Sequence, residues 1–276
     1  MGIWAKITRG WQLAGISFGI INKNKNLLVF PVLSVAAFFL IVASFIGGFA
    51  ALTGDGAQAS TNMDHKTELL LLFIFYFINS AVIIFFNMAL IHCVFKVLSG
   101  DTVRVKDGFM FALSKIKVIL TWALICATVD LVIKMIEDKH EAISSIISGL
   151  FGILWSLATF LVVPVLAYEN LDVPEAMRRS TDLFKKTWGE RAGAAFSFAL
   201  IGWVFFLMFA ITLGVFVLPR SFPLFIIALM ILGGIISCII AATQTVFLAS
   251  VYQFAAGIPV DIKNGIDYRD IFKPKE

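Results

Sequence analysis

Six long stretches of this chain carry almost no charge, and they leave the rest of it little freedom. They fall at about residues 27–50, 69–98, 118–136, 142–167, 192–217 and 224–256. A bilayer core of about 30 Å is crossed by roughly 20 helical residues, so each stretch is near or above the length of a span. The second and sixth are longer and must tilt or project. Apolar residues run on without alternating, which predicts helices rather than a β-barrel. Composition agrees: 60% of the residues are hydrophobic and only 14% charged, against about 25% charged in soluble domains. The expected fold class is an all-α membrane protein with six transmembrane helices.

The segments between these stretches have a pattern of their own. Residues 172–189 read D-V-P-E-A-M-R-R-S-T-D-L-F-K-K-T-W-G. Val173, Ala176, Met177, Ser180, Leu183, Phe184, Thr187 and Trp188 recur at three- and four-residue steps, the spacing of one helix face. Arg178, Arg179, Asp182, Lys185 and Lys186 fall largely on the other. Asp172 and Glu175 form a capping-box pattern, with Pro174 in the first turn, and Gly189 is a stop signal. Two further segments match it. In residues 1–26, Trp4, Ile7, Trp11, Ala14 and Phe18 share a face, beside Lys6, Arg9, Lys23 and Lys25. After Asp101 or Thr102, Val105, Phe109, Ala112, Leu113 and Ile116 oppose Arg104, Lys106, Lys115 and Lys117.

A basic amphipathic helix beside a span is expected in the headgroup layer with its apolar face toward lipid. Three such interfacial helices, each leading into a hairpin, predict a pseudo-threefold repeat. Its units are 1–98, 101–167 and 172–257, in a single polytopic domain with a short tail at 258–276. Sliding the units pairs Ala14, Gly108 and Ala176, and brings Lys23, Lys117 and Lys185 into register.

Charge sets the orientation. All but Lys66, Lys134, Lys139 and Arg220 of the 22 basic residues fall on the side of the amino terminus. The positive-inside rule therefore predicts cytoplasmic termini. The net charge of +4 is spread along span ends, which favours anionic lipid and not nucleic acid. The expected surface for it is Lys23, Lys25, Arg104, Lys106, Lys117, Arg178, Arg179, Lys185 and Lys186. Cys93, Cys126 and Cys238 lie in apolar runs without CxxC spacing and read as buried hydrophobes. No cleavable signal is expected, because an amphipathic stretch precedes a span of full length.

Residues 17–31, S-F-G-I-I-N-K-N-K-N-L-L-V-F-P, resemble the opening of a family of uncharacterised prokaryotic six-span proteins. Residues 164–180, P-V-L-A-Y-E-N-L-D-V-P-E-A-M-R-R-S, are similar to the same families and to the membrane domain that accompanies some glycerophosphodiesterases. The resemblance implies a helical inner-membrane protein. It brings no catalytic residues across, since a diesterase catalytic domain has no counterpart here.

Motifs for chemistry are few. Gly15-Ile16-Ser17-Phe18-Gly19 matches the hydrolase nucleophile elbow, but that motif needs a preceding strand and a strained turn. Here it sits in an amphipathic helix, where the glycines are expected to admit a neighbouring helix. Asp130 and Lys134 are four apart and read as a paired anchor near the outer end of the third run, or as a contact for an ion or solute. Asn79, Asn87 and Gln244 are expected to hydrogen-bond between helices or to line a hydrated cavity. Gln244 shares a face with Gly233, Ser237 and Ala241, the pattern of a packed interface. His92 and Lys96 are expected to snorkel to the headgroups. No metal or cofactor motif is legible. The function expected is a non-catalytic scaffold or accessory subunit that engages lipid together with a protein partner or a second copy. The competing reading is a small transporter or channel for an apolar or amphipathic solute.

Overall fold

A computed structural model describes residues 15–53, 64–137, 142–185, 204, 206–212 and 222–257. Helix α1 covers 15–23, and a 3-10 turn at Lys25–Leu28 leads into α2 (Val29–Thr53). Then come α3 (His65–Leu98), α4 (Val105–Ser114), α5 (Ile116–Glu137), α6 (Ala142–Thr159) and α7 (Val162–Tyr168). Helix α8 occupies 173–185, residues 206–212 are helical, and α9 is Phe222–Ala256. No strand occurs among the described residues. Five helical stretches are long and apolar enough to cross a membrane: Lys25–Gly48, His65–Leu98, Ile116–Glu137, Ser148–Tyr168 and Phe222–Ala256. The run expected at 192–217 lies outside the described residues except for 204 and 206–212.

Local chemistry fixes the helix ends. The Asn24 side chain donates to the carbonyl of Ile20 at 3.0 Å and its own backbone N–H donates to the same oxygen, which stops α1. Pro31 falls in the first turn of α2, where a missing N–H costs nothing. At the end of α3, Gly100 takes a φ of 81°. Its N–H reaches Val97 O, and the N–H of Asp101 reaches Lys96 O. That is a Schellman stop, with the glycine absorbing a left-handed conformation. Helices α3 and α9 have 34 and 35 residues. At 1.5 Å per residue they are about 50 Å long and outreach the bilayer core.

By internal packing the chain falls into two compact units. The first comprises Met1–Val32, Leu90–Gly108 and Leu183–Glu276. Among its described residues the 3-10 turn packs on α9. Its buried side chains include Ile21, Leu27, Phe30, Val94, Val246 and Tyr252. Phe95 meets Tyr252 edge to face, with ring centroids 5.8 Å apart.

The second unit comprises Leu33–Ala89 and Phe109–Asp182. In it α5 and α6 form a hairpin. Trp122 stacks on Trp155 at 5.7 Å, 26° from parallel. Ala112, Ala123 and Ala127 are fully buried. Small residues at helix contacts are what membrane packing requires, because lipid gives apolar side chains no reason to leave it. Phe109 of α4 lies against Phe85 and Phe86, both at 5.8 Å.

The stretch expected to form one fourth span is broken. Helix α6 ends at Thr159 and α7 begins at Val162. Pro164 is the cause: it has no N–H to give, and its ring crowds the carbonyl of Phe160 four residues back.

Candidate functional site

A helix break at membrane depth exposes backbone groups that lipid cannot satisfy. Here one side chain answers two of them. The N–H of Leu161 donates to Ser180 Oγ at 3.0 Å, and the Ser180 hydroxyl donates to the carbonyl of Ala158 at 2.8 Å. Leu161 and Ser180 are both fully buried. Helix α8 is therefore fitted into the break between α6 and α7.

Three more contacts hold this corner of the second unit. Arg179 Nε donates to both carboxylate oxygens of Glu169, at 2.9 and 3.1 Å. Lys115 Nζ donates to Asn170 Oδ1 at 2.7 Å. Asp172 Oδ1 accepts the N–H of Glu175 at 2.9 Å, the N-cap bond that the Asp-x-x-Glu pattern predicts.

These contacts revise the expected surface. The apolar face of α8 does not lie open to lipid: Val173, Ala176, Ser180 and Leu183 are buried inside the protein. Spacing specifies a face but not what covers it, and here the chain covers it. Arg179 is committed to Glu169 and is not free for a headgroup. Lys23, Lys25, Arg104, Lys106, Lys117, Arg178 and Lys185 are exposed, while Lys186 lies outside the described residues. Helix α4 behaves differently from α8. Met110 is 58% and Leu113 52% exposed, and Ile116 at the head of α5 is also open.

The intramembrane polar residues differ in exposure. Asn79 is half-buried, and its Oδ1 is buried without a hydrogen-bond partner, so interhelical bonding does not account for it. Asn87 is half-buried as well. Gln244 is exposed, as are Ser237 and Ala241. The packing expected on that face of α9 is present at Gly233, where the Phe206 ring would lie 3.5 Å from an added Cβ. Asp130 and Lys134 are each part-exposed. Lys96 Nζ lies 3.6 Å from Asp107 Oδ2, and both side chains are part-exposed. His92 is half-buried four residues before it.

Ser17 is buried within α1 and does not stand exposed on a strand-to-helix turn. A Cβ placed on Gly15 or Gly19 would meet nothing within 4 Å, so these glycines do not serve a close helix approach. No group of three metal-ligating side chains occurs among the described residues. Sequence reasoning missed Glu169 and Asn170. It placed Ser180 on the apolar face without seeing its hydroxyl at work. The one available signal was Pro164 inside an apolar run. Gln253, buried in α9 with its Oε1 unpartnered, gave no signal either.

Five long apolar helices, with cations exposed beside their ends, define a multi-pass α-helical membrane protein. A family model described as a family of unknown function (DUF6159) matches residues 66–260, and the chain belongs to that family. The match carries nothing toward glycerophosphodiesterases. No curated protein and no solved structure matches the chain.

Proposed function

We propose that this protein is a non-catalytic scaffold or accessory subunit of a prokaryotic inner (cytoplasmic) membrane, engaging lipid together with a protein partner or a second copy. Six spans, with the fifth in the 192–217 run, return both termini to the cytoplasm. The lead-in helices α1, α4 and α8 lie on that face, one before each hairpin, in a pseudo-threefold arrangement. The observation that carries the reading is the distribution of charge. Arg104, Lys106, Lys117 and Arg178 are exposed beside helix ends, where each cation contributes about 1 kcal/mol of attraction to anionic lipid.

Ser17, the residue that matches a nucleophile motif, is buried within a helix. The test is extraction into polymer nanodiscs without detergent, followed by identification of what is retained. Anionic lipid and a stoichiometric protein, or a second copy, are expected. Retention of neither would overturn the reading.

A transporter is the second reading, and one observation favours it. The fourth span is broken, as spans that carry solute sites often are. Against it, Leu161 N–H and Ala158 C=O at the break are already bonded to Ser180, and Gln244 faces outward. Flux of amphipathic solutes into proteoliposomes, abolished by Asn79→Ala, would favour transport over a scaffold.

A further inference from the structure

The corner between α4 and α5 combines fixed charge with bare apolar surface. Lys115 stands between the two helices. Its N–H bonds back to Phe111 and Ala112, and its carbonyl accepts from Ile119, so the backbone there is held from both sides. Its ammonium is held by Asn170, a neutral acceptor that orders the side chain without cancelling its charge. Lys117, two residues on, is exposed.

The chain has no acidic residue between Asp107 and Asp130. The carboxylates flanking Asn170 are engaged, Glu169 with Arg179 and Asp172 with the start of α8. Among the described residues no carboxylate lies within ion-pair distance of either lysine. Beside them Leu113, Leu120 and Leu124 are 52%, 41% and 47% exposed. Within α5, Lys117, Leu120 and Leu124 are spaced three and four apart, the repeat of one helical side.

We infer that the Lys115–Lys117 corner is a docking site for one anionic glycerophospholipid, its phosphate at the exposed Lys117 ammonium, an acyl chain along Leu120 and Leu124, and Lys115 adding its charge to the same corner. The complementarity is of two kinds at once. Two uncompensated cations meet a monoanionic headgroup, and a leucine strip meets hydrocarbon. Asn170 is a positioning residue: it keeps Lys115 ordered, so less side-chain freedom is lost on binding. The inference rests on the lipid-engaging reading above, but assigns it to this corner and not to α8.

The experiment reconstitutes the full chain in nanodiscs of equal phosphatidylglycerol and phosphatidylcholine, then counts retained lipid by native mass spectrometry. Lys117→Glu removes one attraction and adds one repulsion, so phosphatidylglycerol retention is expected to fall roughly 25-fold, at about five-fold per charge. Asn170→Asp places a carboxylate against Lys115 and is expected to give about a five-fold fall. Lys117→Arg keeps the charge and retains the lipid, which separates a lost site from a lost fold. Arg178→Glu on α8, where no large hydrophobic residue stands exposed beside the cation, is expected to lower retention less than Lys117→Glu.

A fall with Arg178→Glu alone, with the corner variants silent, overturns the assignment while leaving lipid engagement intact. Equal retention of the two lipids by the unaltered protein overturns both. Loss of phosphatidylcholine in parallel with phosphatidylglycerol also overturns it, because the site then reads hydrocarbon and not charge.

Discussion

Helices α4 and α8 have similar sequence patterns and opposite surroundings. Both alternate apolar and basic residues at helical spacing, and both precede a long apolar run. In α8 the apolar side is inside the protein, with Val173, Ala176 and Leu183 buried. No large hydrophobic residue of 173–185 is exposed. In α4 only Gly108 and Ala112 are buried, and Met110 and Leu113 are open. Amphipathicity states that a helix has a face needing cover. Whether protein or lipid supplies the cover depends on what the neighbouring chain offers. Beside α8 it offers a broken span whose open backbone groups Ser180 can fill. Beside α4 it offers Phe85 and Phe86, which occupy Phe109 and leave the flank bare.

The sharpest test of this contrast removes one leucine from each helix. Leu183→Ala empties a fully buried site and is expected to cost about 2–5 kcal/mol, read as a lowered unfolding midpoint in detergent. Leu113→Ala, on a half-exposed side chain, is expected to stay within about 0.5 kcal/mol. Equal costs would erase the difference between the helices. Next in size, Ser180→Ala orphans the Leu161 N–H in a dry site and is expected to cost about 1–3 kcal/mol. Faster amide exchange at 158–162 should accompany it.

Asp172→Ala removes the cap of α8, with an expected loss of about 1 kcal/mol; Asp172→Asn should restore most of it. Smallest is a pair of neighbours. Arg179→Ala breaks the contact with Glu169, whose partners are partly solvated, and is expected to cost up to about 1 kcal/mol. Arg178→Ala, exposed one position away, is expected to be silent in the same melt. A larger effect at Arg178 than at Arg179 would reverse the roles given to them.

Much of this was legible in the residues, and the limits are physical. Run length located the spans because the bilayer sets a fixed distance to cross. The Asp172 cap was legible because its partner is three residues away. Ser180 was not, since its partners lie 19 and 22 residues back. Pro164 announced a disturbance in the fourth run but not what would repair it. Gln244 illustrates a further limit. A small-residue face on α9 reads as an interface, yet Phe206 approaches Gly233 while Ser237, Ala241 and Gln244 stand exposed, because periodicity carries no information about which helix comes alongside. Arg179 and Arg178 are chemically identical in sequence, and only the position of Glu169 separates them.

The serine that bridges Ala158 and Leu161 also imposes a schedule on biogenesis. Residues 158–161 leave the ribosome before residue 180, so the fourth span enters the bilayer with its hydrogen-bond ladder open. Only when the following helix has been synthesised and has swung back can that gap close. Any insertion machinery handling this chain must shelter an unfinished span for the time it takes to translate those last residues.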